Sequence, residues 1–282
     1  MKIDFHVHVT PPDIISNWKK YAKKETYFSM LCQNKYHKFT EAENVVISME
    51  NEDIDKSVIF GWAFSDIGLC RYVNDYVIEK VKKFPDKLIG FAVVPPCKGA
   101  EAEIQRCHSL GLKGVGELFP KGQKIDLENK KNTSLFTDIC NELSIPVLIH
   151  TNEPVGHYYS GKTDINLAQI ETFIKNNPNL NIILAHWGGG LFLYEMMKEV
   201  SIMFKNVYYD TAITPFLYDS RVYSAVKALK LCKKVLFGTD YPLLPPSRYM
   251  NALEESDLSE HDKLLILGKN ASDLLKLNTT EY

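Results

Sequence analysis

Ile145-Pro146-Val147-Leu148-Ile149-His150 is a short apolar run that a histidine brings to a close. A strand with one wet face would alternate apolar and polar residues. This run does not, so it reads as a strand of Pro146–Thr151 buried on both faces, the signature of a parallel sheet. The same pattern recurs at Lys2–Val9, Ser57–Ala63, Leu88–Pro95, Lys113–Phe119, Asn181–His186, Val207–Thr211 and Val235–Asp240. Amphipathic stretches lie between the runs. Asn74–Phe84 places Tyr76, Val77, Val81 and Phe84 on one face, and Ile165–Asn177 does so with Leu167, Ile170, Phe173 and Ile174. Asp164 is the expected N-cap of the latter. Further helices are expected over Ala100–Leu110, Thr133–Leu143, Leu191–Phe204, Leu217–Leu231, Ser247–Glu255 and Glu260–Leu277, the last broken at Gly268.

Strand followed by helix, eight times over, predicts an α/β protein with a (β/α)8 TIM barrel as its fold. An open doubly wound sheet would alternate in the same way. The barrel is preferred because residues able to do chemistry recur at strand ends, and the carboxyl ends of barrel strands form one active face. Barrels of roughly 250 residues are ordinary single domains, so residues 1–282 are read as one. The segment 10–43 is long for a first βα connection and carries Trp18, Tyr21, Tyr27, Phe28, Tyr36 and Phe39. It reads as an insertion, and as a lid over the substrate.

The bulk composition excludes several classes. A hydrophobic share of 45% supports a sizeable core, and 33 basic against 35 acidic residues leave a net charge of -2. Nothing in that balance draws nucleic acid or an anionic membrane. No apolar run is long enough to span a bilayer. Asp4 and His6 interrupt any apolar leader at the start. The six cysteines, Cys32, Cys70, Cys97, Cys107, Cys140 and Cys232, form no C-x-x-C pair. They read as reduced thiols, several of them buried, in a cytoplasmic protein. Asn278-Thr279-Thr280 is then a chance match to a glycosylation site. A small-molecule substrate is expected, and a homodimer is allowed for.

The chemistry sits at the ends of the runs. His6 and His8 flank Val7, and residues two apart on a strand share a face. His150, His186 and Asp240 each close an apolar run. Any one of them alone could be a core residue or a helix cap. Five on the same rim are another matter. Imidazoles with a carboxylate suit zinc, with iron, manganese and nickel as alternatives.

Asp4-Phe5-His6-Val7-His8, Ile149-His150, Ala185-His186-Trp187-Gly188-Gly189, Gly238-Thr239-Asp240-Tyr241-Pro242 and Lys269-Asn270-Ala271 together resemble the amidohydrolase superfamily. The resemblance is to the branch that contains aminocarboxymuconate-semialdehyde decarboxylase and related barrel hydrolases, and it spans residues 4 to 271. It implies that His6, His8, His150 and Asp240 bind the metal. It also implies that His186 stands nearby to polarise substrate or handle a proton. Glu117, in Gly114-Val115-Gly116-Glu117-Leu118, occupies the strand-4 position of the glutamate that bridges two metals in TatD-type nucleases. Zn2+ is therefore expected as one ion, or as two bridged by Glu117. No carbamylated lysine is evident, because Lys113 starts its strand at the opposite end.

Gly156-His157-Tyr158-Tyr159-Ser160-Gly161-Lys162-Thr163 matches the phosphate-loop pattern letter for letter. A nucleotide hydrolase is thus a formal alternative, but that loop should leave a strand directly and open a helix at its lysine. Here residues 152–155 intervene and the helix starts later. The loop is better placed above the metal, where His157, Tyr158, Tyr159 or Lys162 could touch substrate. Trp62 and Trp187, also at strand ends, are further pocket candidates.

The expected activity is hydrolysis of an amide, ester or lactone by a metal-activated water, with Asp240 as base and His186 polarising the carbonyl. Decarboxylation of a small unsaturated or aromatic carboxylate is the alternative. A two-metal nuclease ranks below both.

Overall fold

The computed structural model describes residues 1–159 and 161–277. The Asn278-Thr279-Thr280 match lies outside them. Eight strands form one sheet in sequential order: β1 (Ile3–His8), β2 (Lys56–Phe60), β3 (Leu88–Ala92), β4 (Gly114–Leu118), β5 (Val147–Ile149), β6 (Ile182–Leu184), β7 (Val207–Asp210) and β8 (Val235–Leu236). Every neighbouring pair is parallel. The last strand returns to the first. Phe5 N donates to Phe237 O at 2.8 Å, Asp240 N to His6 O at 2.9 Å, and His8 N to Tyr241 O at 2.8 Å. The (β/α)8 barrel is closed.

Strand residues divide between two apolar layers, as alternation on a two-faced sheet requires. Phe5, Val58, Phe60, Ile89, Phe91, Leu148, Ile183 and Leu236 fill the interior. Val7, Ile59, Val147, Ile149, Ile182, Leu184 and Val235 pack outward under the helices. The β1–β2 register shifts between Asp4 and Val7. Val7 then faces outward with its partner Ile59, while His6 and His8 on either side turn their rings against Phe60. The observed strands are shorter than the apolar runs. The rim residues that close the runs have left the ladder.

Two helix expectations are corrected. The helix after the third expected helical stretch runs Leu167–Asn176, and its N-cap is Asn166. Asn166 and Gln169 form a reciprocal capping box, two bonds where a lone aspartate offers one. Asp164 instead pairs with Lys121 at 2.8 Å. The stretch Leu191–Phe204 is not one helix. A left-handed turn through Trp187, Gly188, Gly189 and Gly190 leads into tight 3-10 turns ending at Met196, and an α-helix covers only Lys198–Met203. Gly189, at φ 61°, is required there: a Cβ would stand 2.3 Å from Asn152 O.

The segment 10–43 contributes α1 (Pro12–Ser16), α2 (Trp18–Ala22) and α3 (Thr26–Cys32). The Glu25 carboxylate accepts from Ser65 N at 2.8 Å and Asp66 N at 3.0 Å. Phe28 packs on Phe64, Trp62 and Phe39. These contacts bring the segment over the strand ends. All six cysteines are free, four of them buried. Among the described residues no helix is long and apolar enough to cross a membrane.

Candidate metal centre

The strand ends deliver six side chains to one point on the barrel floor. His6 and His8 come from β1, Glu117 from β4, His150 from the end of β5, His186 from the end of β6 and Asp240 from beyond β8. Gly238 makes room for this, because a Cβ there would lie 2.9 Å from His6 Cβ. His6 Nε2 stands 3.6 Å from Glu117 Oε2 and 3.7 Å from Asp240 Oδ1. His8 Nε2 is 3.3 Å from each of the same oxygens. Atoms about 2.1 Å from a shared ion stand roughly 3.0–3.4 Å apart in octahedral or tetrahedral geometry. The four separations sit at or just beyond that spacing.

One of the donors also lacks any other partner. Asp210 Oδ2 lies 2.7 Å from His6 Nδ1. A carboxylate only accepts, so Nδ1 carries the proton and Nε2 presents its lone pair to the cluster. That Nε2 is buried and makes no hydrogen bond. A buried polar atom left unpaired is costly, and a cation at that lone pair removes the cost. The side chains fit a divalent ion.

His150 sits differently from the expectation. Its Nδ1 is 2.9 Å from Glu117 Oε1 and its Nε2 3.1 Å from Gly161 O, with the Phe119 ring stacked on it at 3.8 Å. It stands beside the His6–His8–Asp240 group, with Glu117 at one ring nitrogen and the Gly161 carbonyl at the other; a neutral ring donates to one of them at a time. His186 Nε2 is 3.5 Å from Glu117 Oε1, and its Nδ1 is 3.3 Å from Ala212 O. Glu117 is therefore the hub of the cluster rather than a distant partner.

Charge and burial compete strongly here. Burial would push the His6 imidazole down, but Asp210 and Glu117 beside it hold it well above its usual pKa. Burial likewise opposes protonation of His8 and His186, and neighbouring carboxylates reverse it in both. For His150 burial wins over Glu117, and its pKa is lowered. Burial would raise Glu117, yet His6 and His150 hold it well below the ordinary carboxylate range. Asp240 is treated similarly: burial raises it, His8 and His6 outweigh that, and its pKa falls to about 2. Carboxylates held low beside imidazoles held high mark a place that favours positive charge.

Above this floor lies a cavity of about 120 Å3. Trp62 forms part of its wall, stacked on His8 at 4.3 Å with its indole N–H on Thr10 Oγ1. Phe119, Tyr159, Leu31 and Ile213 add apolar wall, and Asn34, His37 and Lys38 close the mouth from segment 10–43. Burial, reinforced by His8, lowers the His37 pKa to about 4.

The other pocket candidates lie elsewhere. Trp187 is a fully buried core residue that donates to Thr214 Oγ1 and packs on Phe192, Tyr218 and Tyr223. The left-handed turn at 187–190 sends its side chain away from the cavity. His157 and Tyr158 are exposed on the outer loop, with Tyr158 against Met30. Lys162 faces a separate cleft with Lys24, Lys121 and Lys124, held by Glu153 and the carbonyls of Val155 and His157. No helix opens at Lys162; the next starts at Leu167. The phosphate-loop match thus lacks the strand–loop–helix geometry that makes such loops work.

Sequence reading missed Asp210. It closes β7, is fully buried, orients His6, and accepts from His186 N at 2.8 Å and Ala212 N at 3.0 Å. Its signal was present, since it ends an apolar run in the same way as Asp240. Asn34, His37 and Lys38 carried no comparable signal, because only the folding of segment 10–43 brings them to the cavity.

A family model described as Amidohydrolase matches residues 3–277. The chain belongs to the amidohydrolase family. Among curated amidohydrolase relatives, 2-amino-3-carboxymuconate-6-semialdehyde decarboxylase of Dictyostelium discoideum is 26% identical, covering 100% of this chain and 93% of its own. Gamma-resorcylate decarboxylase of Rhizobium sp. strain MTP-10005 is 23% identical over 75% and 77% of the two chains. Among solved structures, 5-carboxyvanillate decarboxylase from Sphingomonas paucimobilis superposes with a TM-score of 0.80 at 14% identity, covering 98% and 99%. A dihydroxybenzoic acid decarboxylase from Polaromonas sp. JS666, with bound manganese and the inhibitor 2-nitroresorcinol, gives 0.74 at 18%, covering 99% and 98%. These relatives overturn the expectation of amide, ester or lactone hydrolysis, since they are decarboxylases. The motif residues alone are common to both chemistries, which is why the sequence ranked them the wrong way round. The expectation of zinc widens to a metal whose identity is open, because three of the related structures hold manganese.

Proposed function

We propose that this amidohydrolase is a metal-dependent, non-oxidative decarboxylase of a small planar unsaturated or aromatic carboxylate, with Mn2+ as its ion. The observation that carries the reading is the donor cluster of His6, His8, Asp240 and Glu117, set under an aromatic-walled cavity in a chain whose full-length relative is a decarboxylase. His6, His8 and Asp240 would hold the ion, with Glu117 and His150 adjoining. When bound, the ion supplies positive charge that anchors an anionic substrate and steadies the electron pair left as CO2 departs.

The remaining duties fall to the chain. A cavity of roughly 150 Å3 admits a benzene ring, so the 120 Å3 here sets an upper limit of about one ring or a short conjugated chain. Trp62 and Phe119 offer faces to a planar π-system. The C–CO2 bond breaks, its electron pair stays on carbon, and that carbon takes a proton. Asp240 is the group we assign to relay it, taking a proton from solvent and passing it to that carbon. Its side chain is 17% exposed, against 7% or less for His6, His8, Glu117 and His186, so only Asp240 exchanges protons readily with solvent. Asp210 fixes His6, and the Ala212 carbonyl fixes His186.

The test is a panel of carboxylates given to Mn2+-loaded protein: γ-resorcylate, 5-carboxyvanillate and 2-amino-3-carboxymuconate-6-semialdehyde, beside amide, ester and lactone controls. CO2 release from at least one carboxylate, lost on chelation and restored by Mn2+, is expected. Turnover of the controls with no CO2 from any carboxylate would contradict the reading.

A further inference from the structure

A second cleft opens beside the catalytic cavity and takes no part in the metal centre. Its volume is about 470 Å3, within the range of small-molecule pockets. Four lysines reach it from three separate stretches of chain. Lys24 comes from the turn between α2 and α3, Lys121 and Lys124 from the short helix and turn after β4, and Lys162 from the loop after β5. Asp164 is the one carboxylate among the described lining residues, and it is paired with Lys121 at 2.8 Å. Lys162 is tied to Glu153 at 3.6 Å and to the carbonyls of Val155 and His157. Lys24 and Lys124 are exposed and make no ion pair among the described residues. With Glu153 counted behind Lys162, four cations face two anions in a chain whose net charge is -2. A cleft lined by one sign of charge gathers ions of the other.

The donors select among anions. No arginine lines the cleft among the described residues, so the flat, two-pronged grip that suits a carboxylate is missing. Lysine ammoniums act as point charges, which suit the tetrahedral oxygens of a phosphate. The hydroxyls of Thr26 and Ser65 line the same space and add neutral donors. The cleft is larger than one inorganic phosphate, which leaves room for an organic body and a second phosphate. Lys162 belongs to the phosphate-loop match, but the grip here comes from side chains of three segments and not from loop amides.

The cleft shares a wall with the cavity. Tyr27 lines it, donates to Gly161 O at 3.0 Å, and sets its ring 3.9 Å from that of Phe119, which lines the cavity. Gly122 allows this approach, since a Cβ there would stand 2.9 Å from Tyr27 Cβ. A ligand held between Lys24 and Lys124 ties segment 10–43 to the rim after β4. We propose that this cleft is a second ligand site, for a small molecule with two phosphate groups, and that its occupancy fastens segment 10–43 over the cavity. The proposal is independent of the metal centre and of the reaction.

The experiment titrates the full chain, loaded with Mn2+, with fructose 1,6-bisphosphate and follows binding by calorimetry. Salt is held at about 0.15 M, where charges beyond roughly 8 Å are screened. The expected result is saturable binding, tighter than that of glycerol 2-phosphate, with none of succinate. Lys24→Gln joined to Lys124→Gln should weaken it by roughly tenfold or more. Lys19→Gln joined to Lys20→Gln removes the same charge from exposed positions outside the cleft and should leave it unchanged. Asp164→Asn frees Lys121 and should tighten it. Hydrogen exchange over residues 21–32 should slow in the bound protein. No binding overturns the site, as does binding that the Lys24 and Lys124 pair does not affect, or that both lysine pairs weaken alike. Succinate bound as tightly as the bisphosphate overturns the choice of phosphate, and cleft-dependent binding without slowed exchange overturns the fastening.

Discussion

Asp240→Asn is expected to lower CO2 release by roughly a thousandfold, the scale of one lost proton-transfer group compounded by a weakened ion. The amide is nearly isosteric, so packing survives. It carries no charge to face His6 and His8, which stand 3.7 and 3.3 Å from Oδ1, and it cannot pass a proton to carbon. Metal content should fall in parallel. In metal-free protein the change has a pH signature. The Asp240 pKa is depressed to about 2 against burial, chiefly by His8 and His6. A carboxylate depressed on folding stabilises the fold at pH values above its unfolded pKa, and that contribution is lost as pH falls toward its folded value. The wild type should therefore be the more heat-stable at neutral pH, and the gap should close in acid. Rates and metal content equal to wild type in Asp240→Asn would refute its assigned role.

The second large effect is expected at a residue that touches neither ion nor substrate. Asp210→Ala removes the acceptor that fixes His6, and it strands the buried N–H groups of His186 and Ala212. Losing the partner of a metal-bound histidine costs about 10- to 100-fold in metal affinity. Leaving two buried donors unpaired costs at least about 2 kcal/mol in stability. Mn2+ titration and thermal unfolding measure the two separately. Asp210→Asn, which keeps an acceptor for one of these contacts, should recover part of the stability and little of the affinity. Unchanged metal affinity in Asp210→Ala would remove Asp210 from the site.

The barrel was legible because burial on both faces makes each strand an unbroken apolar run, and a polar residue that ends such a run must stand on the rim. His6, His8, His150, His186 and Asp240 were found that way. Asp210 ends a run too, but the tyrosines of Val207-Tyr208-Tyr209-Asp210 blur it. Glu117 was visible as a strand-end carboxylate; that four histidines converge on it is a fact of barrel closure, which spacing does not encode. Trp187 misled because a strand-end position does not fix side-chain direction once the chain enters a left-handed turn. The cap at Asn166 was readable after all: Gln169 stands three residues on, and Asp164 has no such partner. The mouth of the cavity was opaque, since segment 10–43 reaches it through tertiary contacts such as Glu25 with Ser65 and Asp66.

The central claim is a divalent ion on the carboxyl rim of the barrel, and anomalous diffraction from Mn2+-soaked crystals tests it most directly. The predicted result is a peak in bonding contact with His6 Nε2, His8 Nε2 and Asp240. A strong peak anywhere else with none at these residues, or no peak at saturating Mn2+, would contradict it.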